Sequence, residues 1–477
     1  MCTRLWGSGH RIKPPRSACR GGAVSISGTS RAPVDRARAV VLAVGSGGDV
    51  APLAAVAAHL AQRGLATTWM APQRYAALTP HGVTFRPAGA DGVFESVFSQ
   101  PRVWTARYGL PESWRYYGAA ALSTFEQLCR DWSADDTLLV SSSFAVGARL
   151  AEEAHGFLNT TVHLSPGVLF SYQRPPRWPA ASIPPGWPTW LQADIAALAE
   201  RLAIDPTIRR ALAPAWKAAG LRDQRQVFSR YLHSRHRVAY LFPDWFATAA
   251  VDWPASGQHA GFATSAPLVR EIPSAVAAFC GVAKEPLALI TAGTAVAQRP
   301  KWVRRCARAL LARGMRVLVL ERAGIAGADD EHPRLLYAPH APLPELLPRA
   351  RLLVHHGGIG TAVDALRTGT PQWLFPSAHD QADNADRLCR LGVAQRFSAS
   401  TAEQELLDAA SVLLAGHHDP AVLALEARLQ AAPDGAAVVA DWVSRDMERI
   451  GARHAAGQTA SESRPKPRCA ELPAIHL

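Results

Sequence analysis

Residues 351–361 read as a short apolar strand, a glycine turn and a helix start, and that order narrows what the chain can become. Arg351 to Val354 has the apolar character of a strand buried on both faces. His355-His356-Gly357-Gly358-Ile359-Gly360-Thr361 follows at once, and a helical pattern begins there. Three glycines let backbone approach a ligand closely, while a hydroxyl and an imidazole stand ready to donate. A helix that starts this way offers free N–H groups and the positive end of its dipole to an anion. The arrangement reads as a cradle for a diphosphate.

A second turn of the same kind lies near the start. Ala39 to Val44 reads as a buried strand and Gly45-Ser46-Gly47-Gly48-Asp49 as the turn after it. Val50, Leu53, Val56, Ala57 and Leu60 then recur at helical spacing up to Gly64, and Leu65 to Met70 is the next strand. Leu138 to Val140 and Thr161 to Leu164 continue the rhythm, 173–190 is an irregular Pro- and Trp-rich excursion, and 191–237 is helical in pattern. The β-α-β pattern restarts after a polar connector, with strands at Leu287–Thr291, Met315–Leu320, 351–354 and 372–375 and a helix over 299–313. Two doubly wound α/β domains facing each other across a cleft follow from this repetition. We place them at 39–265 and 286–450, joined by a linker over 266–285.

The 477 residues suit two domains, and nearly half being apolar suits a globular body. The net charge of +12 is uneven. Residues 1–38 hold eight Lys/Arg against Asp35 alone and read as a disordered basic extension, and 451–477 as a disordered tail. Nucleic-acid binding would rest on that head, so it is not expected of the body. Seven scattered cysteines without C-x-x-C spacing point to a reducing, cytoplasmic setting, and no apolar run approaches the roughly 20 residues that span a bilayer.

The first glycine turn lacks the dinucleotide fingerprint: Val50 stands where the third glycine would be, and no acidic residue ends the second strand. Asp49 reads either as a helix cap or as a carboxylate facing the cleft, placed to take a proton from an attacking hydroxyl. Thr294, after Gly293, is a helix cap or a phosphate contact. Asp380 and Gln381, in the polar stretch 376–384, either cap a helix or recognise sugar hydroxyls. Asp380, Asp383 and Asp386 recur every third residue, but no ligand histidine at a fixed offset supports a metal there. Arg102 and Trp104 belong to an aromatic-basic segment, 93–125, that suits either an amphiphilic, carboxylate-bearing acceptor or ordinary core packing.

Together, Leu336-Tyr337-Ala338-Pro339-His340, the 355–361 turn and His379-Asp380-Gln381 resemble the donor-binding signature of the UDP-glycosyltransferase superfamily, nucleotide-sugar enzymes of GT-B fold. Gly45-Ser46-Gly47-Gly48-Asp49-Val50-Ala51-Pro52 is similar to the bacterial and sterol-glycosylating branch. Within it, Pro101-Arg102-Val103-Trp104, Leu241 to Ala247, Asp252-Trp253-Pro254 and Ala378 to Leu388 resemble the rhamnosyltransferases of rhamnolipid synthesis. The resemblance spans roughly 39–450.

It implies Asp49 as catalytic base, Tyr337 near the nucleotide base, His356, Thr361 and Thr294 on phosphates, and Gly358 and Gly360 shaping the turn. Asp364 falls at a ribose-binding position where a longer Glu is common, and Asp380 and Gln381 would hold the sugar. His340 and His356 depart from patterns found in some branches. The expected reaction is inverting transfer of a hexose, rhamnose or glucose, from a dTDP- or UDP-sugar to a lipid-like or other small acceptor. It needs no metal and no resident cofactor, the nucleotide-sugar being co-substrate. A nucleotide-sugar epimerase and a non-catalytic partner subunit are the competing readings, and peripheral association with the inner membrane or with a partner subunit stays open.

Overall fold

The computed structural model describes residues 38–462, except 106, 178–182, 185, 265–270, 282–283, 294–300, 322–331 and 417–419. The basic head, the last residues of the tail and Thr294 therefore lie outside the described residues.

The first sheet contains β1 (Arg38–Leu42), β2 (Ala66–Ala71), β3 (Thr84–Pro87), β4 (Thr137–Ser142), β5 (Leu158–His163), β6 (Arg237–Tyr240) and β7 (Gly257–His259). Its order is β3-β2-β1-β4-β5-β6-β7, with the pairs parallel. The second contains β8 (Leu287–Thr291), β9 (Arg316–Leu320), β10 (Leu335–Ala338), β11 (Ala350–His355), β12 (Gln372–Leu374) and β13 (Ala394–Arg396). Its order, β10-β9-β8-β11-β12-β13, repeats the plan. Each sheet reverses strand order between its first and fourth strands, the point where α/β sheets bind ligands at their carboxyl edge. Both glycine turns leave strands at these two points.

Apolar strand runs coincide with burial: Ala39 to Leu42 and Leu287 to Ile290 are sealed from solvent. The helix Gly47–Gln62 sets Val50, Leu53, Val56, Ala57 and Leu60 on the first sheet at the expected spacing. Burying each larger aliphatic side chain contributes about 1.5–3 kcal/mol. The strands β7 and β13, GQH and AQR, are too short and polar to show a period. The 191–237 stretch is helical to Ala218, interrupted by a π turn at Glu200–Ile204, and later yields β6.

Residues 435–449, grouped above with the C-terminal domain, pack on the first sheet. Ala436, Val439, Ala440, Val443 and Met447 share a buried cluster with Val50, Leu53 and Ala57. Asp434 pairs with His59 at 2.9 Å and Asp441 with Arg63 at 2.6 Å. The helix Gly435–Glu462 also enters the stretch expected to be a disordered tail. Among the described residues no helix is long and apolar enough to cross a membrane.

Candidate active site

Asp49 occupies the first turn of the Gly47–Gln62 helix. Its Oδ2 accepts from the Ser46 N–H at 2.8 Å and the Ser46 hydroxyl at 2.9 Å, closing the helix start. Its Oδ1 makes no hydrogen bond among the described residues and is not sealed from solvent. Burial raises its pKa to about 6, the two Ser46 donors oppose that rise, and Asp380 adds repulsion. A carboxylate of the second sheet's domain thus acts electrically on one of the first.

Gly45 makes this placement feasible. It adopts φ +123°, and a β-carbon there would lie 2.5 Å from Asp49 Oδ2. Its peptide is held from both sides: the N–H donates to Tyr116 Oη at 3.2 Å, and the carbonyl accepts from Arg74 Nη2 at 2.9 Å. Arg74 also pairs with Asp91 at 2.6 Å and lies 3.6 Å over the Phe94 ring. Arg74 carries no motif signal, and Tyr116 shares only that of the aromatic-basic segment 93–125.

On the second sheet, β11 ends at the buried His355, whose Nε2–H donates to Gln372 at 2.9 Å while Nδ1 accepts the Gly357 N–H at 3.2 Å. His356 fills the space that side chains at Gly293 and Gly358 would occupy; β-carbons there would fall 2.7 and 2.4 Å from its ring. Burial lowers its pKa to about 4, so the imidazole is neutral, and its buried Nδ1 has no partner among the described residues. The helix Ile359–Arg367 begins at Gly358 without a side-chain cap. The N–H groups of Ile359, Gly360 and Thr361 find no acceptor among the described residues. Asp364, one turn further, has its pKa raised by burial to about 7, opposed by Arg367.

Tyr337 lies near the carboxyl end of β10, the edge strand, with β9 and β8 between it and β11. Asp380 precedes the helix Gln381–Arg390 and accepts from Asn384 Nδ2 at 2.8 Å. Gln381 commits its Oε1 to its own loop, accepting from Ser377 N, Ser377 Oγ and Ala378 N at 2.9, 3.2 and 3.1 Å. Only its amide nitrogen is left for a ligand. The preceding His379 holds φ 54°, sparsely populated by non-glycine residues, and its ring meets Trp104 edge-on at 5.5 Å.

Asn384 lies in the 376–384 polar stretch without a role assigned to it there, yet it is central here. Fully buried, it also donates to the Gly357 carbonyl at 3.1 Å and accepts from Ser165 Oγ at 2.8 Å. One amide therefore ties both donor-side loops to the first sheet's domain. Arg102 is taken up by an exposed pair with Glu112 at 2.6 Å. Trp114 and Tyr116 are core residues. The three aspartates do not converge: Asp383 pairs with Arg387, Asp386 with Arg177 and Arg396, and no cluster among the described residues could hold a metal.

Two parallel sheets with glycine turns at both reversal points define the GT-B fold. The glycotransferase of kitacinnamycin superposes with TM-score 0.65 at 18% identity, covering 86% of this chain and 99% of that one. The glycosyltransferase VinC in complex with dTDP does so with TM-score 0.56 at 17% identity, covering 87% and 100%. In sequence the chain is 29% identical over 385 residues to the O-mycaminosyltylonolide 6-deoxyallosyltransferase of Streptomyces fradiae, 75% of this chain and 85% of that enzyme. Residues 333–444 match the family described as Erythromycin biosynthesis protein CIII-like, C-terminal domain. The superfamily-level resemblance is therefore supported, toward glycosyltransferases of antibiotic assembly; these matches do not single out the rhamnolipid branch.

Proposed function

We propose that this chain is an inverting glycosyltransferase that moves a hexose from a dTDP- or UDP-sugar to a hydroxyl of a small amphiphilic acceptor. The observation carrying it is that Asp49, with one oxygen unbonded, follows the first sheet's reversal strand, while the Asp380 loop of the other domain is tied to that first domain through Asn384 and Ser165 at 2.8 Å. The acceptor O–H gives its proton to Asp49 while its oxygen bonds to the anomeric carbon. The bond from that carbon to the diphosphate oxygen breaks, leaving the electron pair on the diphosphate. The N–H groups of 359–361, the Thr361 hydroxyl and the neutral His356 would stabilise that charge; each preorganised donor is typically worth about 3–4 kcal/mol. A pKa of about 6 leaves Asp49 ionised at neutral pH yet basic enough to accept the proton. The reading invokes no metal or resident cofactor.

Asp364, Asp380 and the Gln381 amide are the polar groups we assign to the ribose and sugar, and Tyr337 to the base. The dTDP bound to VinC and the 6-deoxyallosyl transfer of the Streptomyces fradiae relative favour a dTDP-6-deoxyhexose, rhamnose before glucose. We place the protein in the cytoplasm. Exposed Trp187, Trp190, Leu198 and Leu202 supply the surface that peripheral association with a membrane or partner subunit would use.

The test is nucleotide diphosphate release with and without acceptor. Transfer is expected from the wild type and none from Asp49→Asn, with donor binding kept. Conversion of the nucleotide-sugar to its epimer, with no acceptor product, would favour the epimerase reading. Failure to bind any dTDP- or UDP-sugar in a thermal-shift panel would favour the silent subunit.

A further inference from the structure

The helix Gly109–Asp131 places two tyrosines side by side at the carboxyl edge of the first sheet. Tyr116 is spent on Gly45, as described. Tyr117 stands beside it, with ring centroids 5.2 Å apart, and packs at 4.7 Å on Phe144, which follows the carboxyl end of β4. The two rings therefore lie over the reversal point between β1 and β4, where Asp49 sits. Tyr117 is half-buried, and its hydroxyl makes no hydrogen bond among the described residues and is not sealed from solvent. Burial first, then Asp49, Tyr116 and Asp380, push its pKa well above the ordinary tyrosine range, so it keeps its proton and remains a donor. Both facing carboxylates thus act on this phenol. Phe228 and Phe170 back Phe144 from the buried core, with successive ring centroids 6.1 and 6.3 Å apart, so Phe144 is the partly exposed ring beside Tyr117.

We propose that Tyr117 is an acceptor-positioning residue: its O–H donates to the acceptor's attacking oxygen, and the Phe144 ring beside it favours flat, apolar acceptors. This rests on the transferase reading above. An attacking hydroxyl has two lone pairs and one hydrogen. Tyr117 engages one lone pair, which turns the hydrogen toward Asp49 and leaves the second lone pair for the anomeric carbon. Water needs no such steering, so hydrolysis of the donor does not depend on Tyr117.

The test is Tyr117→Phe, which keeps the ring, assayed with umbelliferone as a flat phenolic acceptor and dTDP-rhamnose and UDP-glucose as donors. We expect kcat/KM for transfer to fall about 10- to 100-fold, through both KM for umbelliferone and kcat. Donor hydrolysis should stay within about threefold, and the thermal shift given by dTDP should not change. Wild-type transfer efficiency in the variant overturns the proposal, and so does an equal fall in transfer and hydrolysis. Loss of the dTDP shift in Tyr117→Phe does so too, since the residue would then serve the donor or the fold. If the wild type neither hydrolyses nor transfers any nucleotide-sugar, the transferase reading itself falls first, which separates the two failures.

Discussion

Ser165 and Asn384 meet between the two sheet domains, the hydroxyl donating to the amide oxygen at 2.8 Å with both residues buried. The same side chain's amide nitrogen holds Asp380 and the Gly357 carbonyl. The loop assigned to the sugar and the turn assigned to the diphosphate are therefore registered against the first domain by one side chain. Asn384→Leu leaves two buried partners, the Ser165 hydroxyl and the Gly357 carbonyl, unsatisfied, each costing about 1–3 kcal/mol, and frees the half-buried Asp380. We expect a clear fall in Tm and a KM for the nucleotide-sugar raised about tenfold, read by calorimetry and steady-state kinetics. Wild-type values for both would remove Asn384 from the site.

Gly45 supports a second prediction. A methyl group at this residue would collide with Asp49 Oδ2 and force an unfavourable φ. Gly45→Ala should lower kcat by about 100-fold or more, in line with misplacement of a reacting group by an ångström. dTDP affinity, measured by titration calorimetry, should be unchanged because the diphosphate turn is on the other domain.

Asp49 also couples activity to stability. Transfer should rise with pH to a half-maximum near the carboxyl pKa of about 6. The folded carboxyl holds its proton more tightly than the unfolded one, whose pKa is near 3.8. Stability is therefore lost as pH rises through this window and stays lower above it. The deficit at neutral pH is about 1–3 kcal/mol, toward the lower figure because Oδ1 meets solvent. Asp49→Asn should thus be inactive yet melt higher than wild type at neutral pH, with the advantage vanishing in acid below the unfolded pKa. A lower Tm at neutral pH would contradict the assignment.

His356 should bind donor as a neutral imidazole, since burial holds its pKa near 4. His356→Ala is expected to weaken dTDP binding about tenfold, roughly 1.4 kcal/mol. The difference between wild type and variant should show no histidine titration between about pH 5.5 and 8. A sigmoidal step in that range would mean a protonated ring.

The last helix offers a packing test. Met447, on the last helix, is buried in the cluster formed by the first sheet and its Gly47–Gln62 helix. Met447→Ala should cost about 2–5 kcal/mol by cavity formation, measured by urea unfolding. An unchanged midpoint would show that this helix adds nothing to the first domain.

The sequence alone determined the strand-turn-helix units, because apolar runs, helical spacing and glycines are local signals, and the two glycine turns stood out for the same reason. It determined that Asp49, His356 and Asp380 would sit at turns or helix starts. Tertiary structure decided what each group has left to offer. Oδ2 of Asp49 closes its own helix while Oδ1 stays unbonded, and Gln381 spends its carbonyl oxygen on its own loop. Arg102 pairs with Glu112, and residues 435–449 return to the first sheet. Asn384, Tyr116, Arg74 and Tyr117 matter through partners many residues away, and no local pattern encodes a contact whose energy depends on chain segments brought together only by folding.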